Sequence, residues 1–453
     1  MRVSIIGTGY VGLTTGVCLA YLGHDVTCLD TSEEKIAALQ RGQLPIYEPG
    51  LRELMEESSS RLRFTTKCEE AIGGHDIVFI AVGTPPQPDG SPDLRSLRAA
   101  SEEIGRYIDG DFTVVVNKST VPIGSGNWVE ALIRTSYEHH HSASADGRFA
   151  VASNPEFLRE GTALADSFYP DRVVVGAENQ RTFEILYSLY RPLLDQSFPA
   201  PSFLPRPAEL AAVPIVATDL ASAELLKYAA NAFLSLKISY INEIGNLAER
   251  VGADIREVAR GIGLDHRIGA RFLQAGIGWG GSCFGKDTSA LISTAAEYGL
   301  SMPIVTAARE VNQRQRLRVV EKLLAELKIL KGRSIGLLGL AFKPYTDDLR
   351  DAPAIDIASR LAQHGASVKG HDPVAMERWR HEAADVPLDL VPDEAALFRS
   401  ADAVILVTDW PQYHELDWKA LRDSVRNPLI IDGRSFLDRA QLEQAGFRLL
   451  TIP

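Results

Sequence analysis

The sequence predicts an α/β fold in which two doubly wound, parallel-sheet domains are joined by a long central helix. Three observations carry that expectation. Short β-branched runs alternate with helical patterns over residues 1–215, and the alternation resumes near Lys331. Strands that alternate with helices imply βαβ units and parallel pairing. Between the two lies ASAELLKYAANAFLSLKISYINEIGNLAERV (221–251), with no proline and a single internal glycine. A chain of 453 residues also exceeds what one hydrophobic core serves, so two or three domains are expected.

In order along the chain, RVSIIG, DVTCLD, DIVFIAVG, FTVVVNKS and RFAVASN read as strands of the first half. SYEHHHSASADGR (136–148) reads as a polar surface loop, and the proline-rich SFPAPSFLPRPAEL (197–210) as an extended excursion or linker. The stretch 221–251 makes a helix of roughly 45 Å at 1.5 Å per residue. A helix so apolar needs cover on more than one side, so it is expected to link domains and to be buried by a second subunit. In the second half SIGLLGLAF, ASVKGHD and AVILVTD read as strands, with PLIIDGR closing the set. The boundaries expected are 1–215 for the first α/β domain, 216–325 for a central helical, dimerising domain and 326–453 for the second.

The composition, 45% hydrophobic and 23% charged, is that of a soluble globular protein, and no apolar run approaches a membrane span. A formal charge of −12 without a basic stripe argues against nucleic acid and membrane surfaces as partners. It leaves open an anionic small ligand, which needs only a few local cations and amides. Four cysteines, none in a Cys-x-x-Cys pair, make no disulfide framework, and MRVSIIGTGY is too short an apolar run for a signal peptide. A reducing, cytoplasmic setting is therefore expected, with thiols free for chemistry and no metal site.

Gly7-Thr8-Gly9-Tyr10-Val11-Gly12 follows the strand VSII and opens a helical pattern, which is the setting a dinucleotide fingerprint requires. Its glycines permit a tight turn, close approach of a pyrophosphate and close packing of helix on strand. Both halves are thus expected to be Rossmann-like. The next strand ends at Asp30, the position of an acid that accepts from a ribose 2′-hydroxyl and repels a 2′-phosphate, so NAD is expected over NADP. Lys35 lies near enough to weaken that discrimination.

Cys283 ends the glycine-rich GIGWGGSC just before DTSALISTAAEYG, a helical pattern. Free amides and the helix dipole at such a position favour thiolate, and Asp287, four residues on, shares its face. Cys18, Cys28 and Cys68 sit in apolar patterns and read as structural thiols. A thiolate beside a nicotinamide suggests aldehyde oxidation through a thiohemiacetal and a thioester. Lys227 and Asn231 share a helix face at i, i+4, which fits either an oxyanion site or a solvated lysine with a packing asparagine. Asn154-Pro155-Glu156-Phe157-Leu158-Arg159-Glu160-Gly161 follows a strand end, and its carboxylates fit either surface charge or acid–base work.

The motifs GTGYVG (7–12), VGTPP (82–86), KSTVPIG (118–124), NPEFLREGTA (154–163), KYAANAFLSLKISYINEIG (227–245), DHRIGARFLQAGIGWGGSCFGKD (265–287), GLAFKPYTDDLRDAPA (339–354), HDP (371–373) and IDGR (431–434) run in order over nearly the whole chain. Together they resemble the UDP-glucose/GDP-mannose dehydrogenase family, its UDP-glucose branch above all. The resemblance implies an NAD-dependent homodimer that oxidises UDP-glucose from alcohol to aldehyde to acid, reducing two NAD and releasing no free aldehyde. It implies Cys283 as nucleophile, Lys227 and Asn231 as the pair that stabilises the alkoxide and thiohemiacetal oxygen, and Asp287 with Thr120 and Glu160 around the hydrolytic water. By the same resemblance Gly7, Gly9, Tyr10, Val11, Gly12, Asp30, Lys35, Thr84, Thr120, Glu160, Lys286 and Arg350 contact NAD. Glu156, Phe157, Leu158, Arg159, Glu160, Lys227, Asn231, Phe272, Leu273, Gln274, Ala275, Gly276, Gly280, Phe342, Lys343 and Arg434 form the UDP-sugar shell, and Arg267 reaches the substrate of the neighbouring subunit. Trp279 stands where the family usually has tyrosine or phenylalanine, and Gly285 where proline or glutamine is common. The alternatives are a GDP-mannose or other UDP-sugar dehydrogenase, or a nucleotide-sugar binding protein without turnover. KISYINE and DHRIGARFLQAG match the UDP-glucose branch better, and the presence of Cys283, Lys227 and Asp287 favours turnover.

Overall fold

A computed structural model describes residues Met1–Pro453. The chain divides into two compact units, one of Met1–Ala229 with Ser289–Tyr298, the other of Ala230–Thr288 with Gly299–Pro453.

The first unit is built on eight strands: β1 Arg2–Ile6, β2 Asp25–Leu29, β3 Leu62–Thr65, β4 Ile77–Ile80, β5 Thr113–Asn117, β6 Phe149–Ser153, β7 Val173–Ala177 and β8 Ile215–Thr218. Their order is β3-β2-β1-β4-β5-β6-β7-β8, parallel throughout except where β7 runs against β6. The chain winds outward from β1 to β3 and then returns to place β4 on the other side of β1, with Ser4 opposite Val78. That reversal leaves a crevice beyond the carboxyl ends of β1 and β4, where such sheets bind ligands. The strand sequences are unbroken apolar runs because both faces are covered. Ile77 and Phe79 enter one core with Val3, Ile5 and Val26, while Val78 and Ile80 enter another with Ile104, Val115 and Ile133.

The second unit repeats the plan with six strands, all parallel: β9 Ser334–Leu338, β10 Ser367–His371, β11 Asp389–Leu390, β12 Ala403–Leu406, β13 Leu429–Asp432 and β14 Arg448–Thr451. The order β11-β10-β9-β12-β13-β14 is that of the first six strands of the other sheet. The two sheets even share their first turn. Gly7 after β1 and Gly339 after β9 both have positive φ, and each donates its N–H to the end of the neighbouring strand, at Leu29 and His371 respectively.

The helix Leu220–Val251 runs from the first unit into the second, so the α/β class with two Rossmann-like domains and a long central helix is what the structure has. Three local expectations need correction. Residues 136–141 are the last turns of a helix, Ser125–His141, rather than a loop, and the loop begins at Ser142. PLIIDGR does not close the second sheet, because β14 adds an edge strand beyond it. The strand within SIGLLGLAF ends at Leu338, so Lys343 lies in the following loop. Of the two readings allowed for the proline-rich stretch after Ser197, the excursion is the one found: it lies wholly within the first unit, where Phe198 packs on Phe168.

Candidate active site

In the first unit β1 ends in Gly7, and the helix Tyr10–Tyr21 starts without a side-chain cap, leaving its first-turn amides facing outward. A methyl at Gly12 would collide with the Gly7 carbonyl, so the third glycine is a packing requirement. A methyl at Gly9 would meet nothing within 4 Å, which is the room a pyrophosphate needs. Asp30, directly after β2, accepts from Thr8 N (2.9 Å) and Thr8 Oγ1 (2.7 Å) through Oδ2, which also meets Lys35 Nζ at 2.9 Å. Its Oδ1 accepts only from Ser32 N, at 3.1 Å, so it keeps capacity for a ribose hydroxyl. Burial raises the Asp30 pKa, but the bonds from Lys35, Thr8 and Ser32 outweigh it and hold the carboxyl below its ordinary value. The contrast with the second unit is informative. Asp372, at the matching place after β10, is fully buried and accepts from Leu340, Ala341, Val374 and Ala375 N–H groups and from the Trp410 indole. Only the first half therefore offers a ribose acceptor, and the residues present fit a dinucleotide there.

Thr84 Oγ1 donates to the Thr120 carbonyl at 2.8 Å, which ties the loop after β4 to the loop after β5. From the loop after β6, Glu156 meets Lys227 at 2.9 Å, and both side chains are buried. Burial raises the Glu156 pKa, while the Lys227 charge and hydrogen bond, the Leu158 N–H and the Lys118 charge together bring it below its ordinary value, as suits an ion pair. This resolves the reading of Lys227 from spacing alone: it is no solvated lysine. Leu158 N donates to Glu156 Oε2 at 2.6 Å, Phe157 lies under the Lys227 ammonium at 5.3 Å, and Arg159 is paired with Asp166.

Three residues of this unit were not singled out from the sequence, although Lys118 opens the motif KSTVPIG. Glu48, buried, accepts from Gly161 N (2.6 Å), Ala163 N (2.7 Å) and the Tyr10 hydroxyl, joining the glycine turn to the segment after Glu160. Burial, then the facing carboxylate, raises the Tyr10 phenol, and burial raises Glu48. Glu224 accepts from Gly124 N and Gly126 N, capping the helix Ser125–His141. Lys118, wholly inside, donates to Asn154 Oδ1 at 2.9 Å, and burial pushes its pKa down to about 8. Their partners lie 36 to 115 residues away in sequence, a separation that no local pattern reports.

In the second unit Cys283 immediately precedes the helix Phe284–Glu297, and its carbonyl accepts from Asp287 N at 2.8 Å, which places the thiol at the first turn. Asp287 is fully buried; it accepts from Asn231 Nδ2 and from Lys286 Nζ, each at 2.6 Å. Two residues assigned to chemistry 56 positions apart are thus in direct contact. Ser282 Oγ lies 3.5 Å from the Cys283 sulfur. The other cysteines differ: burial pushes the Cys18 and Cys28 thiols up to about 12, and burial with Glu103 pushes Cys68 up to about 11.

The glycine-rich loop is woven onto its surroundings through backbone groups. Gly276 N donates to Asn242, Ile277 N to the Gly433 carbonyl and Gly281 N to the Arg350 carbonyl. Gly280 leaves no room for a methyl beside the Asp351 carbonyl. Trp279 is buried, its indole N–H given to Ser239 and its ring edge-on to Phe284, which in turn lies 6.3 Å from Phe272. Arg434 donates to the carbonyls of Val407 (2.8 Å), Gly278 (2.9 Å) and Phe342 (3.2 Å). It also lines a cavity of about 280 Å³ with Leu273, Gln274 and Ala275, as the resemblance implies, and with Arg256 and Arg260, which sequence reasoning passed over. Lys343 sits 5.5 Å from the Phe342 ring, Arg350 is paired with Asp348, and Arg267 is exposed beside Asp265.

A doubly wound sheet with its glycine turn, its ribose acid and a second nucleotide-type sheet beyond defines a two-domain, dinucleotide-dependent dehydrogenase. The comparisons give the family. Models of the UDP-glucose/GDP-mannose dehydrogenase family match its NAD binding domain at residues 1–194, its central domain at 221–314 and its UDP binding domain at 336–439. The chain is 43% identical over 451 residues to UDP-glucose 6-dehydrogenase TuaD of Bacillus subtilis, covering 98% of this chain and 92% of that one. A UDP-glucose dehydrogenase structure from Pyrobaculum islandicum superposes with a TM-score of 0.86 at 41% identity, over 97% of this chain and 95% of that one. A UDP-D-ManNAc dehydrogenase structure from Pyrococcus horikoshii gives 0.83 at 26% identity, over 100% and 99%. The chain belongs to the UDP-glucose/GDP-mannose dehydrogenase family.

Proposed function

We propose that this protein is an NAD-dependent dehydrogenase that oxidises UDP-glucose twice at one carbon, to UDP-glucuronate, through covalent intermediates on Cys283. The observation that carries the reading is the thiol at a helix start with Asp287 buried in the next turn and bonded to Asn231. Identity supports UDP-glucose over a UDP-N-acetylated sugar, at 41–43% against 26%.

The first oxidation takes the sugar alcohol to an aldehyde, and Cys283 adds to the aldehyde carbon to give a thiohemiacetal. NAD, held at the glycine turn after β1, would supply the hydride acceptor for each oxidation. Loss of the second hydride leaves a thioester, and water cleaves it to the carboxylate and the thiol. Lys227, held charged by Glu156, and Asn231, oriented by Asp287, stabilise the alkoxide and thiohemiacetal oxygens. Asp287, Thr120 and Glu160 order the hydrolytic water. Gly7, Gly9, Tyr10, Val11, Gly12, Asp30, Lys35, Thr84, Thr120, Glu160, Lys286 and Arg350 hold the cofactor. The segments 156–160 and 272–276, with Lys227, Asn231, Gly280, Phe342, Lys343 and Arg434, hold the UDP-sugar.

In this reading residues 1–215 bind NAD, 216–325 dimerise and 326–453 bind UDP. The dimer is supported by Phe233, Tyr240 and Leu247, seven residues apart on one helix and 60%, 50% and 58% exposed. Arg267 precedes Ile268 and Gly269, whose carbonyls accept from Lys237 on this same helix, and in this reading it completes the partner's substrate site. No helix is long and apolar enough to cross a membrane. The four cysteines form no disulfide, which fits the reducing cytoplasm.

A panel of UDP- and GDP-sugars, with NADH formation followed by its absorbance, tests the assignment. UDP-glucose should give the highest kcat/KM; a higher value for GDP-mannose or a UDP-N-acetylhexosamine would reassign the substrate.

A further inference from the structure

Residues 275–281 are buried, yet they belong to no helix or strand. A buried loop must find partners for its backbone N–H and C=O groups outside the regular ladders. At Trp279 one side chain meets both. Asn312, 2% exposed on the helix Pro303–Leu327, accepts from Trp279 N at 2.8 Å through Oδ1 and donates from Nδ2 to the Trp279 carbonyl at 2.9 Å. A carboxamide carries an acceptor and a donor side by side, so it pairs with the residue as a neighbouring strand would. Arg316, one turn further on, adds Nη2 to the same carbonyl at 2.7 Å and is itself held by Asp351 and Asp356. Beyond Cys283, Arg309 Nη1 donates to the Gly285 carbonyl at 2.6 Å and to the Thr288 hydroxyl at 2.7 Å. Arg309, Asn312 and Arg316 are spaced i, i+3, i+7 and so share one face of their helix. All of these residues lie with Cys283 in the second unit.

We propose that Asn312 is a positioning residue for the nucleophile. Its carboxamide fixes Trp279, four residues before the thiol, so that the buried loop delivers Cys283 to the first turn of its helix. Arg309 fixes the chain on the other side of the thiol. Gly278 shows how closely the contact is made: its φ is 94°, and a methyl there would collide with Asn312 Oδ1. Without the carboxamide, Arg316 still serves the Trp279 carbonyl, but the Trp279 N–H loses its acceptor and the loop its register. A reacting atom displaced by about 1 Å loses roughly a hundredfold in rate. The role rests on the reading of Cys283 as nucleophile given above.

Asn312→Ala should lower kcat roughly tenfold to a hundredfold. The KM for NAD should stay within about twofold, because the glycine turn lies in the other unit. Alkylation of Cys283 by iodoacetamide, followed by peptide mass, should slow as the thiol leaves the amides that favour thiolate, while Cys68 reacts as before. Gly278→Ala reaches the same contact from the other side and carries the test if Asn312→Ala does not fold; it too should lower kcat. In the double variant the new methyl no longer meets Oδ1, so the loss should be smaller than the product of the two single losses. Wild-type kcat in either folded single variant, losses that simply multiply, or an unchanged rate of Cys283 alkylation would each overturn the proposal. Near-normal turnover in Cys283→Ser would instead be a failure of the parent mechanism, which the alkylation rates, needing no turnover, do not share.

Discussion

At the scale of single residues, the Glu156–Lys227 pair is where burial and charge meet most directly. The folded Glu156 carboxyl sits below its ordinary value, so its contribution to stability is complete above the unfolded value, about 4.3, and is lost as pH falls through the folded one. Glu156→Gln leaves the Lys227 ammonium without its carboxylate and should destabilise the fold by about 3–5 kcal/mol at neutral pH. Denaturation across pH 3 to 7 (roughly the carboxylate range) should show the gap between the two proteins narrowing in acid; a constant gap would mean the pair is not ionised in the fold. Cys283→Ser should keep UDP-glucose affinity but lose turnover by several orders of magnitude, because an alkoxide leaves far less readily than a thiolate. Near-normal turnover would take Cys283 out of the mechanism. Arg434 was legible as a strand-end cation, yet its guanidinium also binds three backbone carbonyls, including those of Gly278 and Phe342. Arg434→Ala should therefore raise the UDP-glucose KM roughly ten- to a hundredfold and lower kcat as the loop before Cys283 loosens. The NAD KM should barely move, and a fall in NAD affinity alone would reverse the division of labour between the halves.

At the scale of elements, the sequence was most legible where periodicity and punctuation agree. The helix Leu220–Val251 was expected from Ala221, and the glycine turn after β1 was read from its spacing. Edge strands were not: β3, β8, β11 and β14 carry exposed or half-buried positions and lack the unbroken apolar runs by which the equally short β4, β12 and β13 were read. The three histidines at 139–141 looked like loop, but the helix from Ser125 carries through them because Ser136 and Tyr137 are buried and His141 stacks on Tyr137. Glu48 and Glu224 belong to no motif, and only the fold brings their partners to them. The exposed row Phe233, Tyr240 and Leu247 gives this scale its prediction. Replacing Phe233 and Tyr240 by glutamate should leave a monomer in sedimentation, with activity lost as Arg267 is withdrawn from the partner's site. A fully active monomer would contradict both the interface and the shared arginine.

At the scale of the whole molecule, one strand order serves two purposes through small differences at equivalent places. Asp30 keeps an oxygen for a ribose, whereas Asp372 spends both of its oxygens on the protein. Lys35 beside Asp30 offsets part of its charge, so rejection of NADP rests on the shape of the hydrogen-bonded pocket as well as on repulsion. The kcat/KM for NAD should exceed that for NADP by roughly tenfold or more, and equal values would mean that Asp30 does not meet the ribose. The central question for the molecule is whether one thiol carries the sugar through both oxidations. The direct measurement is the number of NADH formed for each UDP-glucose consumed, with the product identified. Two NADH and UDP-glucuronate are predicted; one NADH, with the aldehyde accumulating in solution, would contradict the account.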